Sequence, residues 1–241
     1  MTYTKAEVMV IIPGFFILLG ITLLLWFFLR NQSQKVKDIP FFCIAVIILA
    51  LEIVKQIRNA LTEKDLWALP FHYCSTFFLW FSLAEFSWGK FRKHMQNMAF
   101  ISSICLLAVF YIGPRGILGS NCDAPFSDFK SFHGLTYHHL ALLYGLLGIA
   151  LKRFHPSIID GWLWVLCSGI YFIIAMTCAY TLDENYFNVL YSIIPPLEWI
   201  RVTLGQVPYL IVLATFLLFG GAAVSWVPYA IMKHRKKRTT T

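Results

Sequence analysis

The chain has 241 residues and a formal net charge of +8, yet only 13% of its residues are charged and 59% are hydrophobic, with 22 Phe and 8 Trp. Ordinary globular chains carry about 25% charge, and a soluble fold of this length cannot hide so much apolar side chain. Composition therefore excludes a soluble domain and points to an integral membrane protein, with lipid as the solvent for the excess apolar surface.

Spanning a bilayer takes about 20 apolar residues. Seven runs qualify, at roughly 8–29, 39–59, 67–88, 97–113, 132–151, 159–181 and 205–232. They are uniformly apolar, without the alternation of a barrel strand, so helices are the expected spanning form. The fold expected is an all-α polytopic membrane helix bundle of about seven transmembrane helices, one domain over residues 1–241, without internal repeats. The first run is long enough to span, so no secretory signal peptide is needed to explain it.

Polar side chains inside such runs are costly and mark candidate functional positions. The second run changes character after Leu51: Glu52, Lys55, Gln56 and Asn59 fall at i, i+3, i+4 and i+7, one stripe of a helix. The stripe is expected to face the bundle interior, with Glu52 and Lys55 paired. The third run opens Leu69-Pro70-Phe71-His72-Tyr73-Cys74-Ser75-Thr76. Pro70 suits a first helical turn. On one helix His72 and Cys74 point about 200° apart, which keeps them from lining one narrow pocket. The fifth run begins with His133, His138 and His139 within seven residues, a clustering that favours a proton shuttle or ligand role over interfacial hydrogen bonding. The connection from Leu182 to Gly205 carries Asp183, Glu184, Asn185, Tyr186, Glu198 and Arg201 with Pro195-Pro196, and reads as a re-entrant or interfacial cap. The last run opens Gly205-Gln206-Val207-Pro208-Tyr209.

Cys43, Cys74, Cys105, Cys167 and Cys178 lie inside apolar runs, where cysteine behaves as a small hydrophobe; Cys122 alone sits in a clear loop. There is no CxxC, so neither a zinc ribbon nor a disulfide scaffold is indicated. The basic C-terminal tail reads as a topology anchor on anionic lipid rather than a nucleic-acid site. One side of the expected topology holds Arg30, Lys35, Lys37, Lys90, Arg92, Lys93, Lys152, Arg153, Lys233, Arg235, Lys236, Lys237 and Arg238; the other holds Lys5, Arg58, Lys64, Arg115, Lys130 and Arg201. Excess Lys and Arg stay in the cytoplasm, which places the N-terminus outside, the C-terminus inside, and the polar positions of runs two, three and five toward the outer side.

Taken in order, these motifs resemble the YwaF-type family of bacterial integral membrane proteins. The elements are Glu52, then Leu69-Pro70-Phe71-His72-Tyr73-Cys74, then His133 with His138 five residues on, then Asn185-Tyr186, then Gly205-Gln206-Val207-Pro208-Tyr209. The resemblance covers about residues 40–215, and Pro-x-His-x-Cys with the paired histidines is its most specific part. His139 stands where the family pattern has Gly. That family carries no assigned reaction. It is similar, more distantly, to an animal membrane acyltransferase family that moves polyunsaturated acyl chains between phospholipids with a Cys/His pair. The resemblance implies His138 as the histidine of the pair and a multi-pass protein of the bacterial cytoplasmic membrane. The relative's cysteine falls on Phe71 here, and Cys74 lies about 5 Å further along the same helical face as the substitute nucleophile.

Two functions fit these residues. In the first, a Cys74 thiolate activated by His138 attacks a lipid ester in the outer half of the bilayer, with His72 and His133 beside them and His72 or Asn185 as oxyanion donor. In the second, a polar cavity lined by Glu52, Lys55, Gln56, Asn59, Asn185, Tyr186, Gln206 and the histidines binds a small solute, ion or lipid headgroup. The absence of an inverted repeat and of paired broken helices weighs against a transporter. A metal site on His72, His133, His138 and His139 would need ligands from separate helices, and a purely structural role is the remaining alternative. No cofactor is expected, the expected partners are membrane lipids, and nucleic acid is not among them.

The orientation has a direct check. With the chain otherwise cysteine-free, an impermeant thiol reagent added to intact cells should label Ala124→Cys and not Gln34→Cys; labelling at 34 alone would reverse the topology.

Overall fold

The computed structural model of the protein describes residues 4–113, 117–118, 123–124, 126–192 and 194–238. Arg115 and Cys122 lie outside the described residues, as do the side chains of Lys236, Lys237 and Arg238. The described residues form helices and connecting turns, with no strand among them.

Helix α1 (Lys5–Leu29) starts at a capping box in which Thr4 and Glu7 bond each other's backbone N–H, satisfying two first-turn donors. Helix α2 (Gln34–Arg58) runs into a π turn (Asn59–Glu63). Two 3-10 turns, Leu66–Ala68 and Tyr73–Ser75, precede α3 (Thr76–Phe86). Then come α4 (Gly89–Ile112), α5 (Phe129–Ala150) and α6 (Ile158–Leu182). A short α7 (Pro195–Leu204) leads into α8 (Gln206–Thr215), which continues through a π turn (Phe216–Gly220) into α9 (Gly221–Arg238).

Among the described residues, four helical stretches are long and apolar enough to cross a membrane: α1, α4, α6 and the continuous rod from Gln206 to Arg235. Their outward faces carry Phe16, Phe28, Ile170, Ile173, Ile211 and Phe216, all exposed, as lipid-facing helices require. The expected third span differs from a single helix over 67–88. Leu69 adopts φ −61°, ψ 152°, the extended conformation that a following proline imposes. Pro70 therefore does not begin a helix but sits in the extended break between the 3-10 turns. What remains helical, α3, has 11 residues and is about 16 Å long, too short to cross alone.

Helix α5 packs against α1, α2 and α4, while α3 packs against α2 and α4. An aromatic core fills the space between them: Phe81 stacks on Tyr144 at 4.2 Å, and Phe41 meets the same ring edge-on at 5.0 Å. Helices α6 and α9 interlock through reciprocal Trp–Gly contacts. A Cβ on Gly161 would meet Trp226 at 2.0 Å, and one on Gly221 would meet Trp164 at 2.0 Å. The two indoles also bond backbone carbonyls, Trp164 Nε1 donating to Leu217 in the π turn and Trp226 Nε1 to Ile158, both at 3.1 Å.

The ends of the same helices that lie away from the break are locked by charge. Glu85 at the end of α3 receives both Arg153 guanidinium nitrogens at 2.7 Å and the Tyr144 hydroxyl at 2.6 Å. Arg92 bridges Glu85 at 3.4 Å and Asp38 at 3.1 Å, and the Arg153 guanidinium stacks on Phe41 at 4.0 Å. The Glu85 side chain is 0% exposed and that of Arg153 6%, and Arg153 Nε also meets Asp38 at 3.2 Å, so two guanidiniums and two carboxylates compensate one another. Glu85→Gln should cost about 3–5 kcal/mol by leaving the Arg92 and Arg153 charges to share Asp38 alone, read as a lowered thermal midpoint in detergent. The double change Glu85→Gln with Arg153→Met should recover most of it, because Arg92 and Asp38 remain paired. A double variant no more stable than the single one would show that the pair does not hold the bundle.

Candidate functional site

The polar stripe of α2 faces inward: Glu52 and Asn59 are buried and Lys55 and Gln56 half-buried, whereas Ile53, Val54, Ile57 and Arg58 are exposed. Its members divide into two jobs. Gln56 and Asn59 hold the broken segment that precedes α3. Gln56 Nε2 donates to the Ala68 carbonyl at 2.9 Å. Asn59 accepts the Asp65 N–H at 2.8 Å and donates to the Asp65 carbonyl at 3.0 Å. Three rings hold the rest of the segment: Tyr186 donates to the Leu66 carbonyl, Tyr171 to that of Pro70, and His72 Nε2 to that of Trp67 at 3.0 Å. Non-helical backbone inside a membrane protein survives only where such partners replace water.

Glu52 and Lys55 instead face a cavity of about 730 Å³, its open mouth included, lined also by His72, Cys74, Ser75, His133, Tyr137 and His138. Lys55 Nζ and Gln56 Nε2 both reach Glu52 Oε1 at 2.8 Å. The other carboxylate oxygen, Oε2, is buried without a hydrogen-bond partner and lies 3.8 Å from His133 Nε2. His133 Nε2 and His138 Nε2 are likewise buried and unpartnered. His138 Nδ1 lies 2.6 Å from the Gly134 carbonyl. A carbonyl only accepts, so Nδ1 carries the proton of the neutral ring and Nε2 presents its lone pair to the cavity. Two cross-links frame the mouth. Arg58 lies over Phe129 at 4.6 Å and meets Glu63 at 3.5 Å. Lys130 lies over Trp67 at 5.1 Å and meets Asp65 at 3.1 Å.

Several sequence expectations are corrected here. His72 and Cys74 do line one cavity. The helical spacing that kept them apart does not apply, because His72 is extended (φ −79°, ψ 153°) and caps the 3-10 turn containing Cys74. His139 leaves the histidine group: a Cβ on Gly14 of α1 would come within 2.5 Å of its Nε2, and its ring packs on Phe110. Gln56 and Asn59 hold backbone rather than line the cavity, and so do three other expected binding residues. Asn185 braces Leu190 and Tyr191, Tyr186 caps Leu66, and Gln206 donates to the Val189 carbonyl at 2.6 Å. Asn185 is therefore not placed to hold an oxyanion in this cavity. Phe71 packs edge-on against Tyr186 at 5.3 Å and is not among the lining residues, whereas Cys74 is. Sequence reasoning missed Tyr137, which sits between His133 and His138 on the same inward face and was legible only as an aromatic in an apolar run.

The model of the TMEM164 family, a membrane protein family, matches residues 2–225. No curated protein and no solved structure gives a match.

The backbone clamp is testable apart from any function. Asn59→Ala removes both bonds to Asp65 and should cost about 1–3 kcal/mol, with faster hydrogen exchange at the amides of residues 64–68. Unchanged exchange there would show that the segment is held by other contacts.

Proposed function

We propose acyl transfer from a membrane lipid ester as the function of this chain, which belongs to the TMEM164 family and is a multi-pass membrane protein. One observation carries the reading: Cys74 and the buried, unpartnered Nε2 of His138 line the same cavity. A cysteine nucleophile needs a base within reach, and the Gly134 carbonyl leaves His138 in the tautomer whose Nε2 can take a proton. In the proposed sequence the Cys74 thiol proton passes to His138 Nε2 as sulfur bonds to the ester carbonyl carbon. The carbonyl π pair moves to oxygen, giving a tetrahedral oxyanion. Its collapse re-forms the carbonyl and breaks the ester C–O bond, and the leaving alcohol takes the proton from His138. A second lipid hydroxyl, or water, then attacks the thioester by the same steps and restores the thiol. Cys74 fits this role where Phe71, the position of the animal family's cysteine, does not, because Phe71 packs outside the cavity.

The proposal includes seven crossings with the N-terminus outside, α2, α5 and the segment ending in α3 supplying the three beyond the four apolar spans. The packing of α5 among α1, α2 and α4 and the excess of basic residues on one side support it. A bacterial cytoplasmic membrane as the site of action, with membrane lipids as the partners met, belongs to the same proposal.

A second reading rests on the unpartnered pair of Glu52 Oε2 and His133 Nε2: the cavity holds a polar headgroup or solute without reacting with it. Reconstituted protein separates the two. An acyl electrophile probe with a lipid-like tail should label Cys74, lose the label in Cys74→Ser, and weaken in His138→Ala. Release or exchange of radiolabelled fatty acid from phospholipid should fall about 10²–10⁴-fold in His138→Ala. If Cys74→Ala keeps full cellular function while Glu52→Gln abolishes it, the binding reading replaces acyl transfer.

A further inference from the structure

Tyr137 is among the largest fully buried side chains, 2% exposed, and its ring lines the cavity between the two histidines that face it. It is stacked against His133 at 5.1 Å and 24° and against Phe77 at 6.2 Å and 30°, so the ring has little freedom to turn. The phenol oxygen accepts the Phe78 backbone N–H at 3.1 Å. That amide lies in the first turn of α3, where N–H groups have no intrahelical acceptor, so Tyr137 caps α3 from a neighbouring helix.

The same bond leaves a remainder. A tyrosine hydroxyl has one proton besides its lone pairs. Here a lone pair is committed to Phe78, while no acceptor for the proton occurs among the described residues. The amide donated by Phe78 also belongs to the positive end of the α3 dipole, which polarises the phenol toward giving its proton. Two of the buried unpartnered atoms around it cannot duplicate that capacity. Glu52 Oε2 accepts, and His138 Nε2 accepts because Nδ1–H is engaged by Gly134. His72 offers no ring N–H either, its Nε2–H being engaged by Trp67. A site built to make an oxyanion needs a fixed donor aimed at it; His138 and His72 are committed as an acceptor and to backbone, and any proton on His133 Nε2 faces the Glu52 carboxylate 3.8 Å away.

We infer that the Tyr137 hydroxyl is the oxyanion donor of this cavity: as the Cys74 sulfur bonds to the ester carbonyl carbon and its proton goes to His138 Nε2, the carbonyl oxygen gains the electron pair and accepts the Tyr137 O–H. The phenol keeps its proton throughout and returns to its resting bond when the tetrahedral species collapses to thioester and alcohol. The inference rests on the acyl-transfer reading above and assigns a residue that reading leaves open.

The test uses full-length protein in nanodiscs containing phosphatidylcholine with a radiolabelled acyl chain, with lysophosphatidylcholine as acceptor. Tyr137→Phe should lower kcat about 10²–10³-fold with KM nearly unchanged. A residue that only capped α3 would lower the thermal midpoint and leave kcat in the surviving fraction intact. Replacing Tyr137 by fluorinated tyrosines keeps the cap and makes the phenol more acidic, which covers the case in which Tyr137→Phe does not fold. The alkaline limb of the kcat profile should then move to lower pH as fluorine is added, because the donor must stay protonated. A kcat within about threefold of wild type in Tyr137→Phe, or an alkaline limb that ignores fluorination, overturns the inference while loss of turnover in Cys74→Ala leaves acyl transfer standing. Turnover retained in Cys74→Ala overturns the acyl-transfer reading and this inference together.

Discussion

The segment from Lys64 to Ser75 departs from helix inside a bundle where backbone groups find little water, and everything around the cavity depends on how its peptide groups are satisfied. Five side chains, Asn59, Gln56, His72, Tyr171 and Tyr186, bond the peptide groups of Asp65 and the carbonyls of Leu66, Trp67, Ala68 and Pro70. They come from α2 and the π turn that ends it, α6, the connection after α6 and the segment itself, so the break ties three other parts of the chain together. Were the segment a regular helix, Cys74 and His72 would face opposite ways. The extended stretch imposed by Pro70 turns both toward the histidines of α5.

The bundle has two ends with opposite polar logic. At one, Glu85, Arg153, Tyr144, Arg92 and Asp38 close on one another. Beside them the buried Asp160 carboxylate receives His94 Nδ1 at 2.7 Å, Asn97 at 2.6 Å and Ser157 at 2.6 Å. Every charge here faces an opposite one, and although Arg153 Nε makes no hydrogen bond it lies 3.2 Å from Asp38; such paired buried networks rigidify. At the other end Glu52 Oε2, His133 Nε2 and His138 Nε2 are buried without partners. Each such atom costs free energy that an all-apolar lining would avoid, so a cluster of them facing one cavity argues for a ligand or a reaction that uses them. The same helices α2, α3 and α5 run between the two ends, and the locked one fixes their spacing at the open one.

Part of the cavity's lining could be read residue by residue. The stripe of α2 was legible because polar groups at i, i+3, i+4 and i+7 in an apolar run leave one face for them, and the Glu52–Lys55 pair at 2.8 Å follows from that spacing. His133 and His138 were legible through their scarcity in apolar sequence. Their neighbour His139 was not separable from them, since only the close approach of Gly14 on α1 takes it away. Asn185, Tyr186 and Gln206 carried the same polar signature as true lining residues, yet each is spent on a backbone partner in an irregular loop. Tyr137 carried no signature at all, because what sets it apart is a hydroxyl whose lone pair is taken by an amide of a different helix.

By itself the sequence determined the solvent: too few charges and too many aromatics for water, runs long enough for lipid, and polar groups restricted to particular helical faces. These are properties of local composition and periodicity, and they do not depend on which helices become neighbours. Tertiary structure decided where helix gives way before α3, which polar atoms are consumed by loose carbonyls, and which remain unpaired at the cavity. Those outcomes depend on partners distant in the chain, such as Gln56 with Ala68 or Tyr137 with Phe78. A hydrogen bond is specified by two positions in space, and one position in the sequence states only half of it.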